Sequence, residues 1–131
     1  MEVTVTRLAG RRLGVDARGV TTIVDDLESN GGPGDGFRPT ELLLAALGAC
    51  TSGTMIAYAD SHGVPLENVR VVLESEKVGP PSRLDEISMR IEVDGPLSDI
   101  DLDRLRRAAG ACTVHTTLKT GPAVTVELAR P

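Results

Sequence analysis

Hydrophobic and polar positions alternate at the start of the chain and then stop alternating. Val3 and Val5 are interleaved with Glu2, Thr4 and Thr6, and Leu13, Val15 and Ala17 with Gly14, Asp16 and Arg18. A period of two marks half-buried strands. Val20 to Val24 continues as a third strand after an Arg18-Gly19 turn, so an antiparallel meander is expected. From Asp25 to Arg38 the chain is polar and rich in glycine, which predicts a loop. Pro39 suits the first position of a helix, and Glu41 puts a carboxylate in its first turn. This helix is expected to run to about Ser61, where His62-Gly63 and Pro65 end it. Over residues 39–61 it would span about 35 Å, enough to cross a small domain.

Alternation returns at Val69, Val71 and Leu73. It is cleanest at Ile87, Met89, Ile91 and Val93, which lie between Ser88, Arg90, Glu92 and Asp94. The residues from Gly79 to Ser82 are expected to turn between these two strands. Ser98, with Asp101 three residues on, predicts a capped second helix, and Leu97 is placed to staple against Leu102. Arg104, Arg106 and Arg107 suit its C-terminal end, and Gly110 its stop. Val124, Val126 and Leu128 predict a last strand. The order is βββ-α-ββ-α-β. Strands in blocks rather than alternating with helices give an α+β class. One domain over residues 1–131 is expected. Its first three strands would form one antiparallel sheet and its last three a second, both around the long central helix.

Composition narrows the function. The net charge is -5, with no Lys/Arg run, which argues against a nucleic-acid footprint. There is no Trp, one Tyr (Tyr58) and one Phe (Phe37), so the core must be aliphatic and base stacking is nearly excluded. Two cysteines are too few for a disulfide-stapled secreted scaffold, and residues 1–6 show no leader pattern. A cytoplasmic location is expected. Leu42 to Ala59 is uncharged over 18 residues, the length of a membrane span. It is rich in alanine, however, and has Thr51, Ser52, Gly53 and Thr54 at its centre. A core helix covered by one-faced strands explains the run without a membrane.

The chemistry centres on Cys50, in the uncharged stretch, and Cys112, after the glycine that ends the second helix. A helical thiol that looks buried and a second thiol on a loop are the minimum for two-cysteine redox chemistry. Cys50 lies roughly 16 Å along the helix from Pro39, too far for that helix's own dipole, which acts within the first turn. Burial would raise its pKa, so a reactive Cys50 needs a cation from elsewhere. Arg11, Arg12, Arg18 and Arg38 are the candidates, and Glu41 could hold one of them by a bidentate pair. Without such a cation, Cys50 is a small apolar core residue.

Other groupings are weaker. His115 could be a base for Cys112 or a ligand, but Cys112-x-x-His115 with Cys50 and His62 makes a poor zinc signature, and a capping or surface imidazole is the simpler reading. The loop from Gly31 to Gly36 lacks the Gly-Lys-Ser/Thr ending of a phosphate loop. Asp99, Asp101 and Asp103 read as the acidic first turn of a helix. Neither a metal nor an organic cofactor is expected.

Two motifs carry a resemblance. The run 31–51, from Gly31 through Phe37-Arg38-Pro39-Thr40-Glu41 to Ala49-Cys50-Thr51, resembles the signature of the OsmC/Ohr family. Ala111-Cys112-Thr113-Val114-His115-Thr116-Thr117-Leu118 is similar to that family's Cys-Pro-Val-His-x-x-Leu. The element order agrees over essentially the whole chain. The resemblance implies an OsmC-like fold assembled as an intertwined homodimer. It also implies a cysteine-based peroxidase of organic hydroperoxides, with an antioxidant role in the stress response. Cys50 matches the peroxidatic cysteine and Cys112 the resolving cysteine that closes a disulfide with it. A small or protein dithiol would be the reductant. Glu41 matches the family glutamate, and Arg38 is the best candidate for the activating arginine. The nine-residue step from Glu41 to Cys50 is that of the general OsmC-like branch, one shorter than in the Ohr branch. Thr113 stands where the family has proline. The alternative is a non-catalytic member that binds a small apolar or thiol-reactive ligand at the dimer interface.

Overall fold

Three strands, β1 (Thr4–Ala9), β2 (Arg12–Ala17) and β3 (Val20–Val24), pair antiparallel in that order. Val5 faces Val15, and Leu13 faces Val24, so the alternation seen in the sequence becomes one apolar face. The expected Arg18-Gly19 turn joins β2 to β3, with both residues at positive φ. The computed structural model describes residues 1–131, and its contacts divide the chain into two compact units, Met1–Ala45 and Ala46–Pro131.

In the first unit the glycine-rich loop is not featureless. It holds a single 3-10 turn over Glu28–Asn30 and returns to β3, where Phe37 N–H donates to the Ile23 carbonyl at 3.1 Å. Two arginines of the β1–β2 corner fasten it. Arg11 donates to the Asn30 carbonyl at 3.1 Å, and Arg12 pairs with Asp35 at 2.8 Å. The loop ends at Pro39, the first residue of α1 (Pro39–His62).

In the second unit, β4 (Asn68–Val78) and β5 (Arg83–Asp94) form an antiparallel hairpin. Its register sets Val69 against Val93, Val71 against Ile91 and Leu73 against Met89. Residues two apart share a face, so these pairs make one apolar surface. The core is built from Met55, Ala59, Val64, Leu105 and Ala109, with Val69, Ile91 and Val93 packed against it. Gly48 lets α1 approach the hairpin, because a Cβ there would lie 2.6 Å from Leu73 Cδ1. Helix α2 (Asp99–Ala109) starts at the expected cap: Ser98 Oγ accepts from Asp101 N–H and the Asp101 carboxylate accepts from Ser98 N–H, both at 3.1 Å.

The elements depart from the sequence expectation in three places. A third helix, α3 (Thr113–Thr120), follows directly on Cys112 where a loop was expected. The second sheet has two strands rather than three, because the segment after Gly121 is not paired as a strand within the chain. Val124, Val126 and Leu128 are 82, 90 and 98 % exposed. Helix α1, long and apolar enough to cross a membrane by length and composition, buries only the stripe Leu47, Gly48, Thr51, Met55 and Ala59. Leu43 and Ile56 stay exposed. The expected core helix is therefore covered on one side by its own chain.

Candidate active site

The two cysteines exchange their expected settings. Cys112, placed on a loop by its neighbours, is fully buried, and Cys50 is only half-buried. The reason is α3. Cys112 is its N-cap, with extended backbone, and Cys112 Sγ accepts from His115 N–H at 3.5 Å. Thr, Val and His are mediocre helix formers, so nothing in the periodicity announced this turn. A cysteine is also an unusual cap, since oxygen side chains dominate that position.

Both thiols are free, and they come together. Hydrogen bonding from the Cys112 thiol is the largest influence holding the Cys50 pKa below the ordinary thiol value. The Val114 and Thr113 N–H groups and the Thr54 hydroxyl add to it, and partial burial opposes them. From its place on α1 alone, Cys50 is expected to need a nearby cation for this effect. The influences that lower it here are uncharged groups, among them the first N–H groups of α3. These donors were not read from the sequence because α3 was not. Thr54 also holds α1 locally, donating to the Cys50 carbonyl at 2.8 Å.

The other two site residues from the sequence, Glu41 and Arg38, pair with each other. Glu41 Oε1 accepts from Arg38 N–H at 2.8 Å and from Arg38 Nε at 3.2 Å. These bonds hold the Glu41 carboxyl below its ordinary range, with the backbone bond the larger cause. Glu41 thus satisfies an orphan N–H at the start of α1, as the acidic arm of a capping box does. Cys50 and Cys112 belong to the second unit, and Arg38 and Glu41 to the first. Among the remaining candidate arginines, Arg11 and Arg12 are engaged with the glycine-rich loop, and Arg18 occupies the β2–β3 turn at φ 58°. No group of three or more His, Cys, Asp or Glu side chains is arranged to hold a metal ion.

The paired thiols carry the makings of dithiol–disulfide chemistry. One is biased toward the thiolate, and the other lies beside it as a partner sulfur.

The sequence model of the OsmC-like protein family matches residues 32–127. The match includes both cysteines, Glu41 and Arg38. No curated protein matches the sequence. An OsmC-like protein from Mycoplasma pneumoniae superposes with a TM-score of 0.80 at 18% identity, over 92% of this chain and 87% of that one. An organic hydroperoxide resistance protein OsmC from Legionella pneumophila superposes with a TM-score of 0.71 at 18% identity, over 91% and 90%. An organic hydroperoxide resistance protein from Elizabethkingia anophelis gives 0.67 at 18% identity, over 91% and 87%. At these identities the likeness shows the fold, an α+β arrangement with two antiparallel sheets and three helices.

Proposed function

The chain belongs to the OsmC-like protein family, and on that premise we propose that it is a thiol peroxidase acting on organic hydroperoxides. The Cys50 thiolate attacks the terminal oxygen of the hydroperoxide. The O–O bond breaks, an S–O bond forms, and the alkoxide takes a proton to leave as the alcohol. Cys50 is then a sulfenic acid. The Cys112 thiol attacks that sulfur, a disulfide forms, and the hydroxyl leaves as water with the Cys112 proton. A dithiol reductant, small or protein, restores both thiols by exchange and is itself oxidised to a disulfide. The observation that carries this reading is the pairing of Cys112 with a Cys50 whose pKa is held down. The substrate class follows the relatives known as organic hydroperoxide resistance proteins.

Glu41 and Arg38 enter the proposal as a positioning pair. Glu41 accepts one bond from the Arg38 backbone N–H and one from its guanidinium Nε, and a charge-assisted bond of that kind restrains the guanidinium. The working unit is proposed to be a cytoplasmic homodimer. The uncovered sides of α1 and the exposed alternation Val124, Val126, Leu128 support the association, since each is an apolar surface without a partner in its own chain.

The test is hydroperoxide consumption with dithiothreitol as reductant. Cumene hydroperoxide is expected to be consumed catalytically and faster than hydrogen peroxide. Consumption no faster than with dithiothreitol alone would contradict the proposal.

A further inference from the structure

We propose that the cavity enclosed by α1, β5 and α2 binds an aliphatic chain that ends in a carboxylate. The cavity has a volume of about 350 Å³, within the range of small-molecule sites. Met55 of α1, Met89, Ile91 and Val93 of β5, and Leu105 of α2 form its walls. The three β5 residues are two apart, so they share one face of the strand. Arg90 and Glu92 lie on the other face, where they pair at 3.2 Å. The walls are therefore apolar, and the two methionines let them adapt to a flexible chain. Neither cysteine lines this cavity.

One end of the cavity is polar. Leu102 and Arg106, one turn apart on α2, are exposed and complete the lining, whereas Met55 and Leu105 are buried. Arg106 is the one charged residue there. The carboxylate on its side of the helix, Asp103, pairs with Arg107, which leaves the Arg106 guanidinium without an ion-pair partner. A cation at the mouth and an apolar floor match a molecule with an anionic head and an aliphatic tail. A guanidinium takes a carboxylate through two parallel bonds. The protein as a whole carries a net charge of -5, so it repels anions at long range and the attraction at Arg106 is local. At the roughly 30 Å³ that a water occupies in the liquid, the cavity has room for about a dozen non-hydrogen atoms, the size of decanoate.

The proposal does not rest on the peroxidase reading, and its test uses no peroxide. Decanoate, kept below the concentration at which it forms micelles, is titrated into the protein carrying methyl-labelled methionine. The Met55 and Met89 methyl resonances are expected to shift to saturation, and that of the exposed Met1 to stay in place. Decanol has the same chain without the charge. It is expected to bind about tenfold more weakly, the worth of one charge-assisted bond. Arg106→Gln should lose that preference and bind the two alike. Arg104→Gln, at an exposed arginine of α2 outside the cavity, should keep it. Unmoved Met55 and Met89 resonances, equal affinity of the wild type for decanoate and decanol, or a preference that survives Arg106→Gln would overturn the proposal. So would resonances that follow protein concentration rather than decanoate, since a second copy of the chain would then be the occupant.

Discussion

Replacing Cys50 with serine is expected to lower hydroperoxide consumption by roughly a thousandfold or more while leaving the fold intact. Serine is close to cysteine in shape, and the bond that Thr54 makes at this place goes to the Cys50 carbonyl, which the substitution keeps. What is lost is the sulfur. A hydroxyl does not ionise under the donors that act on the Cys50 thiol, and it forms no sulfenic acid. Cys112→Ser should behave differently. It keeps the first step, so it should consume one equivalent of hydroperoxide and stop at the sulfenic acid. Turnover unchanged in Cys50→Ser, checked beside a circular dichroism spectrum like that of the wild type, would remove Cys50 from the mechanism.

Replacing Leu105 with alanine is expected to destabilise the protein by about 3 kcal/mol. Leu105 is 1 % exposed and sits in the core with Met55, Ala59, Val64 and Ala109. Truncation there loses the transfer free energy of the removed carbons and leaves a cavity between α1 and α2 that relaxes only in part. Urea unfolding at a fixed protein concentration reads the difference, and the fixed concentration matters if subunit association contributes. Surface changes rarely reach this size. A loss under about 1 kcal/mol would mean that the interior of the second unit lies elsewhere. The same helix ends at Gly110, two residues before Cys112. Loosening it should therefore also broaden the response of the Cys50 thiol to pH.

What the sequence made legible follows the physics of each segment. The β1–β3 meander, the β4–β5 hairpin and the Ser98 cap were readable because alternation and side-chain capping are local. Ile87 to Val93 states its buried face without reference to any neighbour, and Ser98 needs only Asp101. Helix α3 was not readable. It is eight residues long, its middle is threonine-rich, and its cap is a sulfur, so propensity and periodicity both fall short. Without α3 in view, the groups that lower the Cys50 pKa are hidden, and an arginine becomes the expected cause. The last strand failed in the opposite way. Val124, Val126 and Leu128 alternate as a strand does, but a strand is a ladder between two segments, and alternation names a buried face without naming its partner. In this chain that face is open. The burial of the two thiols was read wrongly, because burial at Cys112 is set by the helix that follows it.

The most direct test of the central claim, that Cys50 and Cys112 work as a redox pair, is non-reducing mass analysis of the reduced protein after one equivalent of cumene hydroperoxide. The account predicts rapid loss of both free thiols and a cross-linked peptide joining Cys50 to Cys112. Two thiols still free under excess hydroperoxide would contradict it, and would make ligand binding without catalysis the better reading of this fold.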